Sequence, residues 1–307
     1  MVLARTEAMH RDADGLDTKS PEAILQLLND AQIEAAKVPL DAISEIVDAA
    51  KCFARTLSNG GRIAYAAAGS SGLMALADAL ELPGTFGIPR DRIIIMLAGG
   101  VEALTNLAGA PEDDVDQALS DFKTNGLKKG DCLIAISASG STPYALAALT
   151  EAKRVGLETI AIANNAGTPL MQTADIPILL QTPPEVVAGS TRMGAGTAQK
   201  IALNLMSTLA AIHLGHVHDG HMVNLHADNI KLRVRAARIV ASIAGCTQAE
   251  AEKRLAESNG SVKAAILLAA GAKSIDAARE LLEGTGQKLR PALSELEGNK
   301  ASHQNRT

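Results

Sequence analysis

Between residue 60 and about residue 215 short apolar runs alternate with amphipathic ones, and this pattern constrains the fold more than any other feature. The strand-like runs are 63–67, 92–97, 132–136, 159–163 and 176–180; helix-like runs lie near 71–80, 101–107, 113–124, 143–155 and 194–213. Strands separated by helices pair in parallel, and a parallel sheet must have both faces covered. Ligands of such sheets bind outside the carboxyl ends of the strands. The loops 67–72, 137–142 and 188–194 are therefore expected on one edge.

The flanks read differently. Residues 21–58 carry a helical period, with Ile24, Leu27, Leu28, Ile33, Leu40, Ile43 and Ile46, broken near Pro39. Ser20 before Pro21 is a candidate N-cap. Beyond 216 the strand signals cease. "NIKLRVRAARIVASIAG" predicts a helix ending at Gly245, and three short helices follow, opened by Thr247, Ser261 and Ser274. The expected division is an N-terminal helical segment 1–59, an α/β domain 60–215, a helical region 216–290 and a disordered tail 291–307.

Three loops on the expected edge share a composition. "AAGSSG" carries Ser70 and Ser71 after the first strand, and "SASGST" carries Ser137, Ser139, Gly140, Ser141 and Thr142 after the third. "GSTRMG" places Ser190 and Arg192 before a long helix. One such loop is ordinarily a cap and a turn. Three on one edge offer hydroxyls and free N–H groups to an anion. Neither G-x-x-x-x-G-K-[ST] nor G-x-G-x-x-G after the first strand is present, so a sugar phosphate fits better than a nucleotide.

Composition narrows the rest. Net charge is −5 and aromatics are 2% with no Trp, which argues against nucleic acid and against general attraction to anionic membranes. The basic residues Lys231, Arg233, Arg235 and Arg238 are expected to flank a packing face. Cys52, Cys132 and Cys246 stand in no metal-type spacing and read as reduced thiols of a cytoplasmic protein. No apolar run reaches the length of a membrane span, and the first residues show no signal-peptide core. His213, His216, His218, His221 and His226 contain a His-x-His-Asp-x-His arrangement of metal-ligand types. They are read here as surface and interface residues, with no metal.

Residues 60–215 resemble the sugar isomerase (SIS) domain, a phosphosugar-binding, flavodoxin-like α/β sandwich. The chain from Thr6-Glu7 to about residue 285 is similar to the N-acetylmuramic acid 6-phosphate etherases, relatives of the glucokinase regulatory protein. The stretches that carry the likeness are "ALELPGTFGIP", "AGAPEDD", "ASGSTPY", "AGSTRMGAGTAQK" with "LN" and "ST" after it, "NIKLRVRAARIV", "GCTQAEA" and "NGSVKAAI". The resemblance implies a carbon–oxygen lyase without metal or organic cofactor. Such an enzyme removes D-lactate from C3 of the sugar and leaves N-acetylglucosamine 6-phosphate. Carried over by motif, Glu81 and Glu112 are the acid–base pair, and Lys231 stands near the site. SIS domains generally pair, so a homodimer is expected.

The chain departs from that pattern at basic positions. Leu73 and Ser141 stand where the etherases have arginine, and Gly194 where they have lysine. These changes remove cationic partners for a lactyl carboxylate. Two other readings of the cradle stay open at this point: a phosphosugar-binding regulator and an aldose–ketose phosphosugar isomerase.

Overall fold

The computed structural model describes residues 4–225, 227 and 229–304. The chain divides into two compact units: residues 1–79 with 91–209, and residues 80–90 with 210–307. The helices at 21–58 thus belong with the sheet rather than apart from it.

In the first unit five parallel strands form the sheet: β1 (Ile63–Ala67), β2 (Ile93–Leu97), β3 (Cys132–Ser137), β4 (Glu158–Ala163) and β5 (Ile176–Leu179). Their order is β2-β1-β3-β4-β5. Ile63 is opposite Ile93 on one side and Cys132 on the other. This is the flavodoxin-type order, whose direction of progression reverses between β1 and β3. Around the strands lie α1 (Pro21–Lys37), α2 (Ile43–Ser58), α3 (Gly69–Phe86), α4 (Val115–Thr124), α5 (Pro143–Val155), α6 (Pro169–Thr173) and α7 (Gly194–His213). The unit boundary falls inside α3 and inside α7.

Side chains alternate across the sheet, so each strand feeds two cores. Ala64, Ala66, Met96, Leu133, Ala135, Ala161 and Ala163 pack with Phe122 of α4 and with Tyr144, Ala148 and Leu149 of α5. Small residues in the strands let α5 lie close to the sheet. α2 contacts β1, β3 and β5, and Ala49, Ala50 and Phe53 within it are fully buried. Ser20 caps α1, its Oγ accepting from Ala23 N–H at 3.3 Å, and the break around Pro39 is a 3-10 turn, Val38–Ala42.

The second unit holds a two-stranded hairpin, β6 (Val217–His218) and β7 (His221–Met222), then α8 (Ile230–Ala244), α9 (Gln248–Glu257), α10 (Val262–Ala269), α11 (Ile275–Gly284) and α12 (Leu289–Gln304). Asn229, Thr247, Ser261 and Ser274 each accept from a backbone N–H three residues on, as N-caps do. Val240, Ala265, Ile266 and Leu267 form the centre of its core.

The structure departs from the sequence pattern in two places. The hairpin lies beyond the point where strand signals cease. Asp219 and Gly220 both adopt positive φ (46° and 76°), the turn chemistry of a two-residue hairpin. The segment expected to be a disordered tail is helical to Gln304, because Leu289, Ala292 and Leu296 have a core to bury against.

Candidate functional site

At the reversal point between β1 and β3 a cavity of about 230 Å³ is lined by Gly69, Ser70, Ser71, Glu112, Ser139 and Thr142, among others. The two loops there open α3 and α5, so two helix N-termini meet the same space. Thr142 precedes α5 but makes no side-chain cap. Its Oγ1 instead pairs with Ser137 Oγ at 2.8 Å, and Ser137 Oγ pairs with Ser139 Oγ at 3.1 Å. Ser137 Oγ also accepts from Gly140 N–H, and Ser139 Oγ from Ser141 N–H. The hydroxyls are thus tied into one network. Ser71 and Ser137 are buried, while Ser70, Ser139 and Thr142 are half-buried and open to the cavity.

Gly140 is required where it stands. Its φ is +73°, and a methyl group there would overlap Thr168 Oγ1. Gly69, at φ +54°, is the other close approach: a Cβ would stand 2.5 Å from Glu112 Oε1. Glu112 comes from the 3-10 turn Ala110–Asp113 and lays its carboxylate against the first hydroxyl loop. Burial holds its carboxyl above the usual carboxylate range, and neighbouring Asp113 adds to the shift.

The other expected residues are placed differently. Glu81 does not line this cavity; it belongs to the second unit and is exposed. In the sequence, Leu82-Pro83-Gly84 predicts the end of the helix that carries Glu81. Instead α3 runs through Pro83 to Phe86, although Pro83 supplies no backbone N–H to it. Glu81 Oε2 accepts from Thr85 Oγ1 at 3.5 Å. Ser190, Arg192 and Lys231 do not line the cavity either, although Gly189 and Thr191 of the third loop do. Behind that loop the N-terminus of α7 is already occupied. Buried Glu185 accepts from Gly194 N–H at 3.0 Å and from Ala195 N–H at 2.9 Å. Leu73, Arg192 and Lys200 are exposed.

Several contributors were not singled out from the sequence. Thr6, Glu7 and Leu107 line the cavity. Asn165 donates to Thr6 Oγ1 at 2.9 Å and to the carbonyl of Ala138 at 3.2 Å. The two adjacent asparagines after β4, at the carboxyl edge, were the available signal. Buried Asp78 on α3 accepts from Tyr65 OH (2.9 Å), Asn204 Nδ2 (2.9 Å) and Ser207 Oγ (2.8 Å), linking α3 to β1 and α7. Burial raises its pKa, and the three hydrogen bonds oppose that rise.

The histidines are explained locally. His218 and His221 face each other across the hairpin, and His218 lies 3.5 Å from Asp219. His216 has its pKa lowered to about 4, by burial first and then by the charge of Lys263. His226 lies outside the described residues. Among the described residues no group of three or more His, Cys, Asp and Glu side chains is arranged to hold a metal ion.

Comparison with known proteins decides the family. An N-acetylmuramic acid 6-phosphate etherase of Deinococcus radiodurans is 39% identical over 293 residues, spanning 95% of this chain and 96% of its own. The chain belongs to the N-acetylmuramic acid 6-phosphate etherase family. Another etherase of that name, from Yersinia pestis, is 40% identical over 281 residues, covering 91% of this chain and 94% of its own. Residues 32–164 match the SIS domain family, which takes in β1, β3 and both loops of the cavity. Among solved structures, a Bacteroides fragilis protein assigned as a phosphosugar isomerase involved in capsule formation superposes with a TM-score of 0.50. It is 20% identical and covers 67% of this chain and 96% of its own, a likeness of fold.

Proposed function

We propose that this chain is a carbon–oxygen lyase that converts N-acetylmuramic acid 6-phosphate to N-acetylglucosamine 6-phosphate and D-lactate. Family membership supports the reaction. The observation that carries it at the site is the cavity that joins a hydroxyl network to a half-buried carboxyl, Glu112, held above its usual range. An isolated phosphate-binding cradle has no use for that carboxyl, since a carboxylate near a dianion is repelled.

The phosphate sits among Ser70, Ser71, Ser139 and Thr142, with Ser137 and Gly140 holding the loop in shape. Opening of the sugar ring makes C1 an aldehyde and acidifies the proton on C2. A base takes that proton, the C2–H electrons form the C2–C3 double bond, and the C3–O bond breaks toward lactate. An acid protonates the departing lactate oxygen. Water then adds at C3 and the proton returns to C2. Glu112, kept protonated further up the pH scale by burial, suits the acid; Glu81, which lies outside this cavity, is proposed as the base on the family motif alone.

The decisive assay incubates the purified chain with N-acetylmuramic acid 6-phosphate and measures free lactate. Glu81→Gln is expected to slow exchange of the C2 proton with deuterated water by roughly 10²–10⁴-fold. Undiminished exchange in that variant would remove Glu81 from the mechanism. No lactate from the parent protein would remove the substrate.

The working form is proposed to be a cytoplasmic homodimer. Leu25, Ile33, Leu40 and Ile43 on and between α1 and α2 are half or more exposed, an apolar face that a second copy would cover. Three free cysteines fit a reducing compartment.

A further inference from the structure

Glu7 reaches the cavity by an anchor that belongs to neither hydroxyl loop. Residues Arg5–Glu7 make a single 3-10 turn, and Thr6 in its middle is buried. Thr6 N–H donates to Asn165 Oδ1 at 3.3 Å, and Asn165 Nδ2 donates back to Thr6 Oγ1 at 2.9 Å. Asn165 also donates to the carbonyls of Ala138 and Ser139, the backbone of the second hydroxyl loop. The turn is therefore pinned to the phosphate cradle, and the next side chain, Glu7, is delivered to the cavity wall. Its carboxylate lies against Gly189: a Cβ there would stand 3.3 Å from Oε2. Glu112 meets the first loop at Gly69 in the same manner.

The cavity thus has two kinds of lining. Serine and threonine hydroxyls with helix N-termini donate to an anion. A carboxylate accepts hydrogen bonds and repels the dianion, so its complement is the neutral part of a ligand that carries donors. Sugar hydroxyls and an amide N–H are such donors.

We propose that Glu7 is a specificity-determining residue that accepts hydrogen bonds from the hydroxyl or amide N–H groups of the sugar, so that the cavity selects phosphorylated sugars over other phosphate species. The proposal rests on the phosphosugar reading above and adds the group that recognises the sugar.

Calorimetric titration of the full chain with N-acetylglucosamine 6-phosphate and with inorganic phosphate separates the two. Glu7→Ala is expected to weaken the sugar phosphate at least tenfold while inorganic phosphate binds as before or more tightly. Glu7→Gln keeps one acceptor oxygen and should fall between. Retained phosphate binding also shows that the cavity is intact in the variant. Unchanged affinity for the sugar phosphate in Glu7→Ala overturns the proposal, as does a parallel loss of both ligands. An unmodified protein that binds neither, or both equally, removes the phosphosugar reading itself and the role of Glu7 with it.

Discussion

Ser139 and Glu112 face the same cavity and obey opposite rules. Ser139 Oγ has hydroxyl partners within the loop and space on its open side, so a phosphate oxygen placed there, as proposed, would gain a charge-assisted hydrogen bond. Ser139→Ala is expected to weaken phosphosugar binding by about 1.5–3 kcal/mol, read by titration calorimetry, with little change in stability. Glu112 is the reverse case. Its pKa is higher in the folded chain than in the unfolded one, so between those values the folded state holds more protons and stability falls as pH rises. Glu112→Gln should therefore raise the denaturant midpoint at neutral pH. That gain should vanish below the ordinary carboxylate pKa, where both states are protonated. A lower midpoint at pH 7 would show that the carboxyl helps hold the fold. The hydroxyl loops were legible because strand, Ser/Gly/Thr loop and helix follow each other within a few residues. Glu7 was not legible, because its place depends on Thr6 meeting Asn165, a contact between distant parts of the chain.

Among the elements, α10 carries a buried lysine. Lys263 is 3% exposed, and its Nζ donates to the carbonyl of Gln287, beyond the end of α11. Burial lowers its pKa from 10.5 to about 8. The unfolded chain then binds the proton more readily, so stability is reduced at and below pH 8 and recovers as pH climbs toward 10.5. The gap corresponds to roughly 3 kcal/mol, against which stands the hydrogen bond to Gln287, worth about 1–3 kcal/mol. Lys263→Met should melt higher than the parent at pH 7, with the difference shrinking through pH 8 to 10.5 in calorimetric scans. A lower melting temperature at every pH would mean that the capped carbonyl outweighs the buried charge. Nothing in "NGSVKAAI" marks this lysine as internal, since an isolated lysine ordinarily reads as surface. The strands, by contrast, were readable to within a residue or two, because runs such as Leu133–Ile136 are apolar on both faces. Asp219-Gly220 was missed because its flanking strands are only two residues each, too short for alternation to register.

For the molecule as a whole, the proposed dimer gives a direct expectation. Light scattering at working concentration should return twice the 31.7 kDa of one chain. A fully active monomer would remove the dimer and leave the apolar face around α1 and α2 without its occupant. The first unit also ties together distant stretches of chain: Thr6 and Asn165 are 159 residues apart. On a ribosome, the leading residues emerge long before the loop that receives them exists. The turn that carries Glu7 can dock only once β4 and the loop after it are in place, since Asn165 lies in that loop. Removal of residues 1–10 is therefore expected to take away the Thr6–Asn165 pairing and with it the wall that carries Glu7. Under the proposed role of Glu7, such a chain would still offer its hydroxyl loops to phosphate while lacking that acceptor for the sugar.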